Sequence, residues 1–263
     1  MNHSAVYQTQ VYDSLADDYG AVWQTPCARI LLPHFRSTIR ALNLSGKSVL
    51  DLACGTGVLL AEAASLGASR LVGVDISAGM IAIAVHQHSH AAHDFEFHVS
   101  DASLPLDQLG LAPGTFDLIS AGWLLHYTKT RDEMAGMWAN VARHLKPGGT
   151  FVGLMHTYAL PPQQPAVAGF TFGCRWKDIS PIAEVDGVKM TVEFDTHPRV
   201  EFDNWHFERH VVEELAAEAG LIDVEYSVPD IGILREMGEE AEAGFWQELL
   251  SHPPNQIICA AKS

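Results

Sequence analysis

The residues best suited to chemistry stand at the end of one apolar run, Val49-Leu50-Asp51-Leu52-Ala53-Cys54-Gly55-Thr56-Gly57. Glycines at 55 and 57 let the backbone turn sharply after a strand and let a ligand touch the main chain, where a β-carbon would obstruct both. A second apolar run ends in Asp75, eighteen residues beyond Gly57. Doubly wound folds place a carboxylate there to accept hydrogen bonds from ribose hydroxyls. Turn and acid together predict a ligand that carries a nucleoside.

Two further residues narrow the choice of nucleoside. A dinucleotide fold wants a third glycine where this chain has Leu60, so that the helix start packs closely under a pyrophosphate. Asp51, just before the turn, suits a ligand bearing an ammonium and a sulfonium better than one bearing phosphates, because unlike charges attract.

Residues 49–57 resemble the first motif of the class I S-adenosylmethionine-dependent methyltransferases of small-molecule type, and further segments match in order. These are Val72 to Ser77 with Gly79-Met80, Ser100-Asp101-Ala102, Phe116 to Tyr127, and Leu145 to Gly149. Tyr12-Asp13-Ser14-Leu15-Ala16-Asp17-Asp18-Tyr19 is similar to a segment with which such enzymes close a helix over the methionine end of the cofactor. The hairpin described below and the Phe245-Trp246 to Pro253-Pro254 ending resemble bacterial secondary-metabolite N-methyltransferases of the toxoflavin-pathway type.

The resemblance implies S-adenosyl-L-methionine as cofactor and a set of roles. Asp51, Ala53, Cys54, Gly55 and Gly57 approach its methionine part and ribose, with Tyr12 and Tyr19 closing over them. Asp75 takes the ribose hydroxyls, Ile76 and Met80 line the adenine, and Asp101 with Ala102 meets its amino edge. Ala121 falls within the fourth-strand motif. Methyl transfer to a nitrogen with a free lone pair needs only positioning, whereas a hydroxyl acceptor calls for a base, and His126 and His156 lie near strand ends where one would stand. The competing readings are a protein that binds this cofactor for other chemistry, and a nicotinamide-dependent oxidoreductase.

These residues must be positioned by a sheet. From about residue 46 to 157 short apolar runs alternate with helical stretches, the pattern of a parallel sheet covered on both faces. The strands read as 48–52, 70–74, 95–99, 116–120 and 150–155, and Met134, Met137, Val141 and Leu145 mark one face of a helix over 131–145. Leu31, Phe35, Ile39 and Leu42 mark another, within a helical cap over 1–45. A core spans 46–157, and an inserted, substrate-side segment spans 158–207. There Val188, Met190, Val192 and Phe194 alternate with polar residues and lead through Val200 and Phe202 into an antiparallel hairpin. Residues 208–263 complete the core with a helix at 208–219 and strands at 221–228 and 255–261. The expected fold is therefore α/β, a doubly wound, Rossmann-like, seven-stranded sheet. It is mostly parallel, with the antiparallel last strand that the resemblance implies, plus N-terminal helices and the inserted hairpin.

Composition sets outer bounds. The chain has 263 residues, 48% of them hydrophobic, and a formal net charge of -16. Such a surface repels phosphate backbones, so a small-molecule acceptor is expected rather than a nucleic acid. No apolar run approaches the roughly 18 residues needed to cross a membrane, which makes a cytoplasmic protein the expectation. Cys27, Cys54, Cys174 and Cys259 are scattered without a Cys-x-x-Cys pair, and no metal site is expected. Nothing in the sequence specifies an oligomeric state.

Overall fold

Short segments rich in Val, Leu and Ile form the strands of the main sheet, because their side chains pack well on a pleated surface buried on both faces. The computed structural model describes residues 12, 13, 15, 16, 18–158, 172–238 and 243–263. Among them the strands are β1 (Ser48–Leu52), β2 (Arg70–Asp75), β3 (Asp94–Val99), β4 (Phe116–Gly122), β5 (Leu145–His156), β6 (Cys174–Pro181), β7 (Gly187–Phe194), β8 (Val200–Phe207), β9 (Leu221–Ser227) and β10 (Asn255–Lys262). Among the described residues, seven of these form one sheet in the order β3-β2-β1-β4-β5-β10-β9. The first five are mutually parallel, and β10 runs antiparallel to both β5 and β9. The strand order reverses between β1 and β4, which is where open α/β sheets leave a crevice for ligands. The expected sheet and its antiparallel last strand are both present.

Helices cover the two faces. They are α1 (Pro26–Arg29), α2 (Leu31–Arg40), α3 (Val58–Ser65), α4 (Ala78–His88), α5 (Arg131–His144), α6 (Arg209–Glu218), α7 (Gly232–Met237) and α8 (Ala243–Ser251). On one face α2 buries Leu31, Phe35 and Ile39 against Leu60, Leu71 and Val152. The other face holds α5 and α6, with Trp138 edge-on to Phe151 at a centroid distance of 5.0 Å. Thr130 starts α5 by accepting the Glu133 amide, and Glu133 reaches back to the Lys129 amide, reciprocal bonds that satisfy two helix-end donors. The helix ends one residue earlier than its spacing predicts, since Leu145 already belongs to β5.

The inserted hairpin is part of a larger unit. β6, β7 and β8 form a three-stranded antiparallel sheet. β6 carries no readable alternation because Cys174 is its only buried residue and its far half is exposed. The apolar face of this sheet, through Val192, Phe194, Val200 and Phe202, packs on Val22, Cys27 and Ala28. The small sheet thereby backs the N-terminal segment that overhangs the strand ends. The parts of the expected N-terminal cap and inserted segment that fall within 1–11 and 159–171 lie outside the described residues.

One close approach ties α5 to the loop after β3. A β-carbon on Gly136 would sit 2.1 Å from the Ser103 carbonyl oxygen. Asn140, buried one turn on, donates to the carbonyls of Ala102 and Leu104, each at 2.8 Å. Gly136→Ala should therefore force the helix off the loop and cost about 1–3 kcal/mol, as overpacking does. Urea unfolding checks this, and a variant as stable as the parent would refute the close contact.

Candidate active site

The turn after β1 is built from unusual backbone. Ala53, Gly55 and Gly57 all have positive φ, at 65°, 52° and 85°. For alanine this conformation carries strain, which proteins concentrate at functional turns. Gly57 is the residue before α3, and a β-carbon there would lie 2.8 Å from His88 Nε2. The turn aims the Gly55 amide at Asp75, donating to Oδ2 at 2.7 Å, while the Ser77 amide donates to Oδ1 at 2.9 Å. Asp75 is thus fixed at the end of β2, each oxygen holding one protein donor and retaining room for another.

Its neighbour on β1 is less well served. Asp51 is 1% exposed, and its Oδ1 has no hydrogen-bond partner among the described residues. Burial pushes its pKa up to about 7, the nearby Asp75 charge adds to that, and the Ser120 hydroxyl across the strand pair offsets part of it. Burial also raises Asp75, against the pull of its backbone donors. Two buried carboxylates side by side, with no lysine, arginine or histidine among the described residues lining the space before them, suit a cation.

Both face a cleft whose empty space, including the part open to solvent, is about 840 Å³. Ala53, Cys54, Gly55, Ile76, Met80, Asp101 and Ala102 join Asp51 and Asp75 on its walls, and Tyr12 and Tyr19 cover it. Asp13 latches this cover, because its carboxylate accepts from the Ser77 hydroxyl at 2.6 Å and from the Gly79 amide at 3.0 Å at the start of α4. Gly57 and Ala121 stand off the wall, the first supporting the turn and the second buried in β4. Among the described residues that line the cleft there is no lysine, arginine or histidine. A pyrophosphate would meet carboxylates and no cation there, and Leu60 is fully buried where close glycine packing would be needed.

Sequence reasoning missed several wall residues, among them Trp23, Leu59, Trp123, Tyr127 and Met137. Trp123 takes a left-handed conformation (φ 55°) directly after β4, an outlier for so bulky a residue. Tyr12 donates its hydroxyl hydrogen to the Tyr127 hydroxyl. Burial raises the pKa of Tyr12, Tyr19 and Tyr127 above the usual phenol value.

His126 and His156 lie behind that wall rather than on it. Both are 2% exposed, and their rings stack at 4.5 Å, with His206 stacked on His126 at 5.1 Å. His126 Nε2 accepts the His156 amide at 2.8 Å. Burial lowers the pKa of all three, with His206 at about 3.

Comparison with known proteins agrees with this geometry. Residues 49–149 match the model of a family described as "Methyltransferase domain". The demethylmenaquinone methyltransferase of Symbiobacterium thermophilum is 27% identical over 235 residues, covering 86% of this chain and 89% of that protein. Among solved structures, the magnesium protoporphyrin IX methyltransferase of Synechocystis PCC 6803 with bound S-adenosylhomocysteine superposes with a TM-score of 0.61. It has 14% identity and covers 99% of this chain and 100% of that one. An S-adenosylmethionine-bound amino pentose methyltransferase from Micromonospora echinaspora gives a TM-score of 0.55 at 19% identity, covering 88% and 90%. At such identities these structures establish a shared fold.

Asp51 makes the ligand-free stability pH-dependent. Its pKa is about 7 when folded against 3.8 for the free side chain, so between those values the folded state holds the extra proton. Stability therefore falls as pH rises through that window, by as much as about 4 kcal/mol at 1.36 kcal/mol per unit. Asp51→Asn cannot ionise and should lose about 2–4 kcal/mol less between acid and alkaline pH, read from urea midpoints. Parallel pH profiles for the two proteins would show that the carboxylate is not desolvated.

Proposed function

We infer that this chain, an S-adenosylmethionine-dependent methyltransferase with the class I fold, passes the methyl group to a nitrogen or oxygen of a small molecule. The observation that carries the assignment is the pairing of Asp51 and Asp75 in one cleft, one with an unpartnered buried oxygen and the other held by two amides. S-adenosylmethionine supplies, when bound, a methyl group on a positively charged sulfur that is already a good leaving group.

The chain's own residues bind and orient. Asp51 would offset the ammonium of the methionine part, and Asp75 would accept from the ribose hydroxyls with its remaining lone pairs. Gly55 and its neighbours Ala53 and Cys54 leave the main chain open to close approach. Ile76 and Met80 would pack on the adenine, while Asp101 and Ala102, on the loop pinned by α5, would meet its amino edge. Tyr12 and Tyr19 would exclude water from the methionine end, with Asp13 holding that cover to α4. His126 and His156 stand behind the wall, so positioning rather than proton removal is the protein's contribution to an acceptor nitrogen. Carboxylates and aromatic rings without a cation suit this cofactor and disfavour a nicotinamide dinucleotide.

Asp75→Ala should weaken S-adenosylhomocysteine binding by about 1.5–3 kcal/mol, the range for hydrogen bonds to a charged group. Isothermal calorimetry measures it, and unchanged affinity would remove Asp75 from the site. In thermal-shift assays S-adenosylhomocysteine should stabilise the parent and NAD should not, since only a bound ligand shifts the folding equilibrium. Activity itself is read by mass spectrometry, as a product one methyl group heavier in an extract supplied with labelled S-adenosylmethionine.

A further inference from the structure

The turn after β1 leans on a platform of rings supplied by the edge strand β3. Phe95 and Phe97 stand two residues apart on that strand and so share one face of the sheet, their rings stacked at 5.9 Å with planes 11° apart. Gly73 of β2 is in register with Phe97. A β-carbon on Gly73 would lie 2.7 Å from Phe97 Cδ1 and 2.7 Å from Cys54 Sγ, so the missing side chain is what lets Phe97 reach the turn. His88, the half-buried last residue of α4, lies over this platform. Its ring stacks on Phe95 at 4.3 Å and tilts against Phe97 at 5.8 Å.

One edge of the imidazole meets the backbone of the turn. His88 Nε2 lies 3.2 Å from the Thr56 carbonyl oxygen. A carbonyl only accepts, so the hydrogen stands on Nε2 and that nitrogen donates. Thr56 itself is on the cleft wall, between two glycines of positive φ. Glycine permits many backbone conformations, so a peptide flanked by such residues keeps one orientation only where its polar ends are tied. The peptide joining Thr56 to Gly57 is tied at both: its amide donates to the Cys54 carbonyl at 2.8 Å, and its carbonyl accepts from His88.

We propose that His88 is a positioning residue for the cofactor-binding turn, holding the Thr56 carbonyl from behind and so fixing the backbone that presents the Gly55 amide to Asp75. His88 is not among the residues that line the cleft; it acts through the turn. The ring platform sets where the imidazole lies, and an edge strand that contributes no wall residue thereby shapes the wall. For the geometry of the turn the proposal stands alone, and for its effect on affinity it rests on the cleft's being the S-adenosylmethionine site.

Leucine in place of His88 removes the donor at similar size, whereas glutamine retains an N–H donor near the end of its side chain. Thr56-Gly57 is the one threonine–glycine step in the chain, so threonine labelled at its carbonyl carbon and glycine labelled with ¹⁵N give a single carbonyl–amide cross-peak in the full-length protein. In the ligand-free protein His88→Leu should move that cross-peak to the lower carbonyl frequency of a lost hydrogen bond, and His88→Gln should return it toward the parent. Calorimetry should find S-adenosylhomocysteine bound about three- to tenfold more weakly by His88→Leu, the worth of one hydrogen bond, with recovery in His88→Gln. A side chain that only packs would leave cross-peak and affinity at parent values in a folded His88→Leu protein, and that result overturns the proposal. A loss that glutamine does not reverse overturns it too. If His88→Leu does not fold, His88→Gln identifies the His88 signals of ¹⁵N-histidine-labelled parent protein, where the neutral ring should carry its hydrogen on Nε2; a hydrogen on Nδ1 overturns the proposal. Failure of the parent to bind S-adenosylhomocysteine would instead overturn the cofactor reading, since the cross-peak is read without ligand.

Discussion

Two buried carboxylates, Asp51 and Asp75, stand at the ends of adjacent strands, and the rest of the site follows from that arrangement. Charge buried without a partner is costly, and a protein relieves the cost by protonation, by hydrogen bonds or by a bound cation. Asp75 has the hydrogen bonds, and the turn after β1 exists in a form that provides them: positive φ at residues 53, 55 and 57 directs the Gly55 amide to it. Asp51 lacks that relief, so its carboxyl remains protonated to about neutral pH until a positive group arrives. Folding thus leaves an electrostatic deficit at one point of the cleft, and a cationic ligand gains affinity by removing it.

That deficit is useful only if the cleft is covered, and the cover comes from far away in the chain. The segment carrying Tyr12 and Tyr19 is held on one side by Asp13 at the start of α4. On the other side the small antiparallel sheet packs Phe194 and Phe202 under Val22, Cys27 and Ala28. Phe202 also meets the rings of Tyr12, Tyr19 and Tyr127 at 5.9–6.4 Å. The insertion is therefore a structural support for the cap, which gives a physical reason for a second sheet beside a fold that binds its ligand on the first.

What could be read from residues alone is what a strand and its turn encode locally. Gly55, Gly57 and Asp75 announce their geometry through spacing, and the alternating core segments announce the sheet. β6 could not be found, because a strand exposed over half its length has no hydrophobic period to detect. Trp23, Trp123 and Tyr127 could not be assigned to the wall because their roles depend on packing between elements about a hundred residues apart. His126 and His156 illustrate the opposite limit. Their position near strand ends is legible, but whether a ring faces the cleft or stands behind it is set by Asn204 and Asn255, which the sequence places at a distance of 48 and 99 residues from His156.

The wall of the cleft combines two kinds of construction. One part is made of backbone amides and positive-φ turns together with the carboxylates of Asp51 and Asp75 at strand ends. The other part is made of aromatic side chains, among them Trp23, Trp123 and Tyr127, and an aromatic wall has a definite shape only when its rings are held from behind. In this chain part of that hold is the buried bond from the Trp123 indole to Asn255, whose side-chain oxygen also lies 2.9 Å from His156 Nδ1. The shape of the aromatic part of the wall is then set by the packed interior behind it, separately from the turn between β1 and α3.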